Sequence, residues 1–255
     1  MSLVKNMAAF ENWYLLYAGR YGFLHKEIEL KHRSGLRIRL RPNTDDLRIV
    51  KSNFVKKNYT KDFLPITKDS IVVDVGAHIG SFSIMAARSA YKVLAFEPEP
   101  TNYQMLKKNM EINRLENMST FEMAVSGMSG YQDIYTFQGG SSADYSLYKS
   151  GIMNVKMGRI PTISVGDIIK REGLPRIDFL KLDCEGAEHD ILRNMRLETA
   201  AKIMGIAMET HGVPQEFSID IPRRLKEFGF RVKTSPNGYL YATRAHSDDE
   251  GSSKG

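Results

Sequence analysis

An aspartate, two glycines and a histidine stand within seven residues of one another in Asp74-Val75-Gly76-Ala77-His78-Ile79-Gly80. The run closes a β-branched stretch over 71–75 and is followed at once by the helix-opening Ser81-Phe82-Ser83. Glycines at a strand-to-helix turn let the backbone approach a ligand with no Cβ in the way, and the helix N-terminus offers free N–H groups. A dinucleotide would ask for G-x-G-x-x-G, but counting from Gly76 the second and third glycines are replaced by His78 and Ser81. What remains is Asp-x-Gly-x-x-x-Gly, an acid ahead of a glycine turn, which suits a ligand bearing ammonium and sulfonium charge better than a pyrophosphate. Seventeen residues past Gly80, Phe96-Glu97-Pro98 ends the next β-rich run, where Glu97 could accept hydrogen bonds from both hydroxyls of a ribose.

Holding these groups together requires a sheet. Apolar, β-branched runs alternate with amphipathic stretches from Ile71 to Arg244, the pattern of parallel strands flanked by helices. Strands are expected at 71–75, 92–96, 118–125, 177–182 and 202–208, and helices at 80–88, 101–113, 164–171, 187–195 and 214–228. Ser164 can cap its helix, with Asp167 three residues on completing a capping-box-like arrangement. The last two strands, 230–234 and 239–243, are separated only by Ser235-Pro236-Asn237-Gly238, too short for a crossover helix, so they form an antiparallel hairpin. The fold class is therefore α/β: a Rossmann-like class I methyltransferase fold whose mostly parallel seven-stranded sheet ends in a C-terminal antiparallel hairpin. Glycine turn, preceding acid, strand-two carboxylate and hairpin together point to S-adenosylmethionine as cofactor.

Beyond this the chain resembles a known family. Ile71-Val72-Val73-Asp74-Val75-Gly76-Ala77-His78-Ile79-Gly80-Ser81-Phe82-Ser83, Phe96-Glu97-Pro98 and above all Asp178-Phe179-Leu180-Lys181-Leu182-Asp183-Cys184-Glu185-Gly186-Ala187-Glu188 are similar to the FkbM-type methyltransferases. Arg41-Pro42-Asn43-Thr44-Asp45, with Tyr59 eighteen residues after Arg41, is similar to a pairing that precedes the catalytic domain there. The resemblance covers roughly 40–230. It implies S-adenosylmethionine as methyl donor and an oxygen acceptor on a sugar, a polyketide or another small metabolite. The cofactor-side set is then Asp74, Gly76, Ala77, His78, Gly80, Glu97, Pro98, Ala124 and Asp183.

Methyl transfer to oxygen is an in-line displacement at a cationic sulfur, so the protein mainly positions two reactants and takes a proton from the acceptor. Two groups near strand ends qualify as the base: Asp183, and His211 in Glu209-Thr210-His211-Gly212. Intrinsic pKa favours His211, and Asp183 could instead hold the methionyl ammonium. Lys181, inside a strand, is expected to pair with a neighbouring carboxylate. Glu185 and Glu188 flank Gly186 at a helix start, where negative charge is favoured, and read as capping groups or acceptor contacts. Arg41, Tyr59, Ser142, Lys181, Glu185, Glu188 and Glu209 form the acceptor-side set. Asp183, Glu185, Glu188, Glu209 and His211 could also assemble an oxygen-rich divalent-metal site, but such sites have no compact sequence signature and no metal is assigned.

The surrounding chain sets limits. Of 255 residues, 42% are hydrophobic and 26% charged, an ordinary globular composition that excludes disordered, collagenous and disulfide-scaffold classes. A single cysteine, Cys184, permits neither an intrachain disulfide nor a cysteine-based zinc cluster, so a reducing cytoplasm is the expected setting. No run approaches the roughly twenty apolar residues of a bilayer span, and neither a signal peptide nor a membrane helix is expected.

The net charge of +6 is uneven: 14 basic and 7 acidic residues precede Ile71, against 22 and 23 afterwards. Residues 1–69 are accordingly expected to form a small basic α+β extension ahead of a methyltransferase domain at 70–245. Within the extension, an aromatic-rich helix over 10–23 would pack on the main domain or offer a homodimer contact. Residues 27–40 should form a hairpin around Ser34-Gly35, with Arg33, Arg37, Arg39 and Arg41 as a basic stripe. A helix over 46–59 should point Lys51, Lys56 and Lys57 outward. Residues 126–160 read as an insertion on the acceptor side, and 246–255 as a disordered tail.

The expected partner is a small-molecule acceptor, an acidic one being the best match for the basic extension. Two other functions compete: an RNA methyltransferase using that stripe together with Lys51 to Lys57 on phosphates, and a donor-binding module without catalysis.

Overall fold

The computed structural model describes residues 3–21, 23–61, 63–136, 145–147, 149, 153–235 and 238–244. Ser142, the Gly139-Gly140 pair, Gly151, the Pro236-Asn237 turn pair and the tail 246–255 lie outside the described residues.

The extension opens with α1 (Leu3–Ala9) and α2 (Leu15–Arg20), followed by a hairpin of β1 (Ile28–Lys31) and β2 (Arg37–Leu40). A short α3 (Asp46–Val50) runs into a π-helical stretch, Lys51–Lys56, which Lys57 ends in the left-handed region at φ 56°. The aromatic segment is therefore not one helix over 10–23. Phe10 bridges His32, the Glu11 N–H donates to Lys31 O, and the Asn12 side chain donates to Glu29 O and accepts from the Lys31 N–H. Pairing along the hairpin edge replaces the helical hydrogen bonds there. The expected helix over 46–59 is likewise shortened and widened.

The domain behind it alternates as the periodicity predicts: β3 (Ile71–Val75), α4 (Ser81–Ala87), β4 (Lys92–Phe96), α5 (Pro100–Ile112) and β5 (Met118–Phe121). Next come β6 (Ala124–Val125), β7 (Gly130–Thr136) and β8 (Val155–Ile163), which form a separate three-stranded sheet. The strand expected over 118–125 is thus split, because the ladder with β4 stops at Phe121 while Ala124 pairs with Thr162. The chain continues through α6 (Val165–Arg171), β9 (Phe179–Leu182), α7 (Ala187–Asn194), α8 (Leu197–Ala201) and β10 (Gly205–Glu209). It ends with a 3-10 turn at Gln215–Phe217, α9 (Ile221–Glu227), β11 (Phe230–Thr234) and β12 (Tyr239–Arg244).

Helix α9 starts later than the expected 214–228 because Asp220 caps it, accepting from the Arg223 N–H. Ser164 caps α6 by accepting from the Asp167 N–H, but the capping box stays half-made. The Asp167 carboxylate takes the hydroxyls of Ser164 and Ser129, and the Ser164 N–H donates to Ser129 Oγ.

The main sheet runs β11-β12-β10-β9-β3-β4-β5, parallel from β10 to β5 and closed by the antiparallel hairpin at the other edge. Strand alternation divides the core between two faces. Val73, Val75, Leu180, Leu182, Ile206 and Met208 pack towards α6, α7 and α9, whereas Val72, Phe179 and Ala207 join a cluster that includes Phe82 and Leu106. Phe10, Leu16, Leu30, Ile38, Leu40 and Phe54 of the extension belong to that second cluster, so the extension shares a core with the domain behind it. Among the described residues no helix is long and apolar enough to cross a membrane.

The basic stripe is largely engaged. Arg37 and Arg39 share Glu29, and Arg33 Nε donates to Met7 O. Arg41, expected on the acceptor side, turns inward instead. Its guanidinium donates to both oxygens of the fully buried Asp46, at 3.0 and 2.8 Å, and also to Asn102 Oδ1 (2.7 Å) and Thr101 Oγ1 (3.1 Å). The arginine thereby ties the extension to the start of α5 and does not line the cleft described below. Removing one partner of such a pair leaves the other charge buried and uncompensated. Asp46→Ala is expected to destabilise the fold by about 3 kcal/mol or more, measured by urea unfolding; a loss within the range of an ordinary surface substitution would show that Arg41 is not locked there.

Candidate active site

The carboxyl ends of the parallel strands open into one cleft, where a doubly wound sheet places its ligands. Gly76, Ala77 and His78 line it after β3, Glu97 and Pro98 after β4, Asp183 and Glu185 after β9, and Glu209 and His211 after β10. Ala124 adds an apolar wall, and Arg48, Ser52, Asn53 and Tyr59 reach in from the extension.

Under this surface lies a buried ion pair. Asp74 and Lys181 are register partners on β3 and β9, and Lys181 Nζ donates to Asp74 Oδ1 at 2.9 Å and to Gly76 O at 3.0 Å. The other Asp74 oxygen accepts from Ser83 Oγ. Burial opposes the lysine's charge, yet Asp74 and Asp183 outweigh it and raise its pKa. Asp74 is therefore spent on structure and does not face the cleft, contrary to its expected place at the cofactor. Gly80 is also behind the surface, capping α4 at φ 84° with Leu106 where a Cβ would stand. Gly76 is required for a different reason: at φ 75°, a Cβ would lie 1.8 Å from the Asp183 carbonyl oxygen.

Glu97 is buried at the end of β4. Its Oε2 accepts from the His78 N–H (2.7 Å) and its Oε1 from the Glu99 N–H (3.0 Å). Burial outweighs these donors and raises its pKa to about 7. His78 adopts φ 53°, tolerated by histidine, and its ring is buried. Burial, partly offset by Asp46, lowers its pKa to about 4, so the imidazole is neutral at pH 7.

A second group of polar side chains meets at the ends of β9 and β10. Tyr59 donates its hydroxyl to Asp183 Oδ2 at 2.7 Å, with Glu209 Oε2 at 3.5 Å. His211 Nδ1 stands 3.0 Å from Glu188 Oε1, while its Nε2 faces Glu185 (3.7 Å) and Asp183 (3.9 Å). Glu188 is fully buried and also accepts from the Cys184 and Gly186 N–H groups, so it both caps α7 and orients the histidine. Burial disfavours the imidazolium, but Glu188, Glu185 and Asp183 prevail and raise the His211 pKa to about 10. Burial also opposes the Asp183 charge, but Lys181, His211 and Tyr59 hold its carboxyl below the usual carboxylate range. The intrinsic-pKa argument for His211 as base is therefore overturned: at neutral pH it carries both protons. Asp183, Glu209 and His211 bring donor atoms within 4.8 Å of one another, close enough to share a divalent cation, although a cation there would compete with the histidine's proton.

Several lining residues carried no signal in the sequence. Asn53 faces inward because of the π-helical turn, which no 3.6-residue periodicity foretells. Tyr239 was discoverable, since antiparallel pairing of β12 with β10 sets it opposite Glu209.

A family model described as the methyltransferase FkbM domain matches residues 74–232. The chain is 24% identical over 243 residues to methyltransferase sdnD of Sordaria araneosa, covering 78% of this chain and 92% of that protein. It is 22% identical over 222 residues to the 31-O-demethyl-FK506 methyltransferase FkbM of Streptomyces tacrolimicus, covering 76% and 85%. The crystal structure of methyltransferase FkbM from Methylobacillus flagellatus KT aligns with a TM-score of 0.49 at 17% identity, over 70% of this chain but 44% of that one.

The geometry at Glu97 can be checked directly. A carboxyl-carbon NMR titration should find it ionising near pH 7; a midpoint at or below the ordinary glutamate value of about 4.3 would show that its N–H donors fully offset burial.

Proposed function

Because this chain belongs to the FkbM methyltransferase family, we propose that it transfers a methyl group from S-adenosylmethionine to a hydroxyl oxygen of a small metabolite, sugar or glycoconjugate. The observation that carries the reading is the cluster of Asp183, Tyr59, Glu209 and His211 beside the glycine turn, hydroxyl-binding groups set next to a cofactor cradle. The name of the Streptomyces tacrolimicus relative, with an oxygen as the methylated atom, supports an oxygen acceptor.

The residues present fit the cofactor. Gly76 and Ala77 give a close backbone approach, Glu97 offers a carboxylate for ribose hydroxyls, and the apolar Pro98 and Ala124 suit an adenine ring. When bound, S-adenosylmethionine supplies an electrophilic methyl group on a cationic sulfur. Ribose recognition needs Glu97 as an acceptor, so cofactor affinity should fall as pH drops below about 7.

The chain's own contribution is to hold the acceptor and take its proton. An alcohol oxygen becomes strongly acidic only as its new carbon bond forms, so a carboxylate is basic enough to receive the proton late in the step. Asp183 fills that role, its charge kept available by Lys181 and His211. Tyr59 fixes one of its oxygens. His211, held by Glu188, positions Asp183 and the acceptor.

The cleft also bears on the acceptor's charge. Asp183, Glu185 and Glu209 face it, whereas Arg48 is the extension's charged contribution among the lining residues and itself pairs with Asp45. These carboxylates suit hydroxyl donors, so we read the acceptor as a neutral polyhydroxy compound in preference to the acidic one that the charge count suggested. The stripe arginines hold protein partners, while Lys56 and Lys57 are exposed; binding to an RNA pool that does not weaken steeply with added salt would sink the RNA reading.

Labelled cofactor incubated with cell extract, followed by mass identification of the labelled product, tests the activity. On that product's assay, Asp183→Asn should lower kcat by about 10²-fold or more, and His211→Gln should lower it less. The reverse order would return the proton to His211.

A further inference from the structure

Two buried polar side chains in the cleft lack hydrogen-bonding partners: Asn53, through its Oδ1, and His78, through both ring nitrogens. They are 4% and 7% exposed, and both line the same cleft as Gly76 and Ala77. Buried polar atoms are rarely left unpaired, and groups of this kind in a cleft point to what the cleft receives. The remaining orphan among the described residues, Asn6 Oδ1, does not line it.

Asn53 is held in place from behind. Its Nδ2 donates to Ser81 Oγ at 2.6 Å, at the first residue of α4, which leaves the carbonyl oxygen as the free end of the amide. The π-helical stretch around it runs towards the β10–β12 side of the cleft, where Asn58 donates to the Tyr239 hydroxyl at 2.9 Å. His78 sits on the turn itself, its N–H committed to Glu97. Its Nε2 is 3.6 Å from Asp46 Oδ1, too long for a hydrogen bond. The wall therefore offers one bare acceptor and one neutral imidazole, which can donate without adding positive charge.

Four of the turn's carbonyls already accept hydrogen bonds. Val75 O and Gly76 O accept from Lys181 Nζ, Ala77 O from the Gly80 N–H, and Ile79 O from Asn109 Nδ2. Asn53 Oδ1 is then the bare side-chain acceptor beside this turn for an arriving ammonium.

We propose that Asn53 and His78 form the subsite for the α-amino acid end of S-adenosylmethionine, with Asn53 Oδ1 accepting from the ammonium and the His78 imidazole donating to the carboxylate. This rests on the reading of the cleft as a cofactor site and adds a second task for the N-terminal extension. Besides completing the core, it supplies through a π-helical turn a wall that recognises the zwitterionic end of the cofactor. Adenosine is left to Glu97 and the β4 side.

Calorimetry with two probes tests this without turnover. S-adenosylhomocysteine carries the amino acid group and 5′-methylthioadenosine lacks it, while both retain the adenosine. Asn53→Ala and His78→Gly, the latter keeping the positive φ, should each weaken S-adenosylhomocysteine by about tenfold or more, as for a hydrogen bond to a charged group, and leave 5′-methylthioadenosine within about twofold. Equal losses for both probes, or no loss for either, would overturn the assignment. If the wild-type chain binds neither probe, the cofactor reading itself fails. Should one variant not fold, as judged by circular dichroism, the other decides, and the unchanged 5′-methylthioadenosine affinity certifies an intact cleft.

Discussion

The buried Asp74–Lys181 pair is the constraint on which the rest of the site depends. The two residues are neighbours in register on β3 and β9, both almost wholly out of water. Neither charge could stay there alone, because desolvation of a single buried ion costs more than the fold could offset. Together they do more than cancel. Lys181 also holds the carbonyls of Val75 and Gly76, and Asp74 holds Ser83, so one ion pair sets where the strand ends, how the turn bends and where α4 begins. Gly76 then passes so close to the Asp183 carbonyl that no side chain fits between them.

With that pair neutral, the cleft's electrostatics are set by the groups above it. His211 is the balancing charge among Glu188, Glu185 and Asp183, which is why its proton is held so firmly. Asp183 has Lys181 beneath it, His211 on one side and Tyr59 on another, and so remains ionised despite burial. Glu188 links the two halves of this arrangement, because the same carboxylate that steadies the start of α7 also fixes the imidazole. A substitution at either end of the network therefore alters more than one function.

The N-terminal extension belongs to the same physical object as the sheet. Its apolar residues pack with Val72, Phe82 and Phe179, Arg41 fastens it to α5 through Asp46 and Asn102, and Tyr59 crosses 124 residues of sequence to reach Asp183. Part of the positive charge that set this segment apart in the sequence is used in internal pairs, Arg37 and Arg39 with Glu29, Arg41 with Asp46 and Arg48 with Asp45. Charge counted along a chain reports composition; whether it faces a ligand depends on which carboxylates the fold brings alongside it.

The sequence alone was enough for the frame of the site. Strand and helix periodicity, the short turn between the last two strands and the glycine spacing determined the sheet, its closing hairpin and the position of the cleft, because each is a local property read over a few residues. Glu97, Asp183, Glu209 and His211 were legible for the same reason, as polar residues at strand ends. Their protonation was not, since a pKa depends on neighbours distant in sequence: Glu188 for His211, Lys181 for Asp183, and burial for Glu97. Nor could the sequence tell that Asp74 and Arg41 would turn away from the cleft while Asn53 turned towards it. Those directions follow from a strand register and a π-helical turn, and only packing of the whole chain decides them.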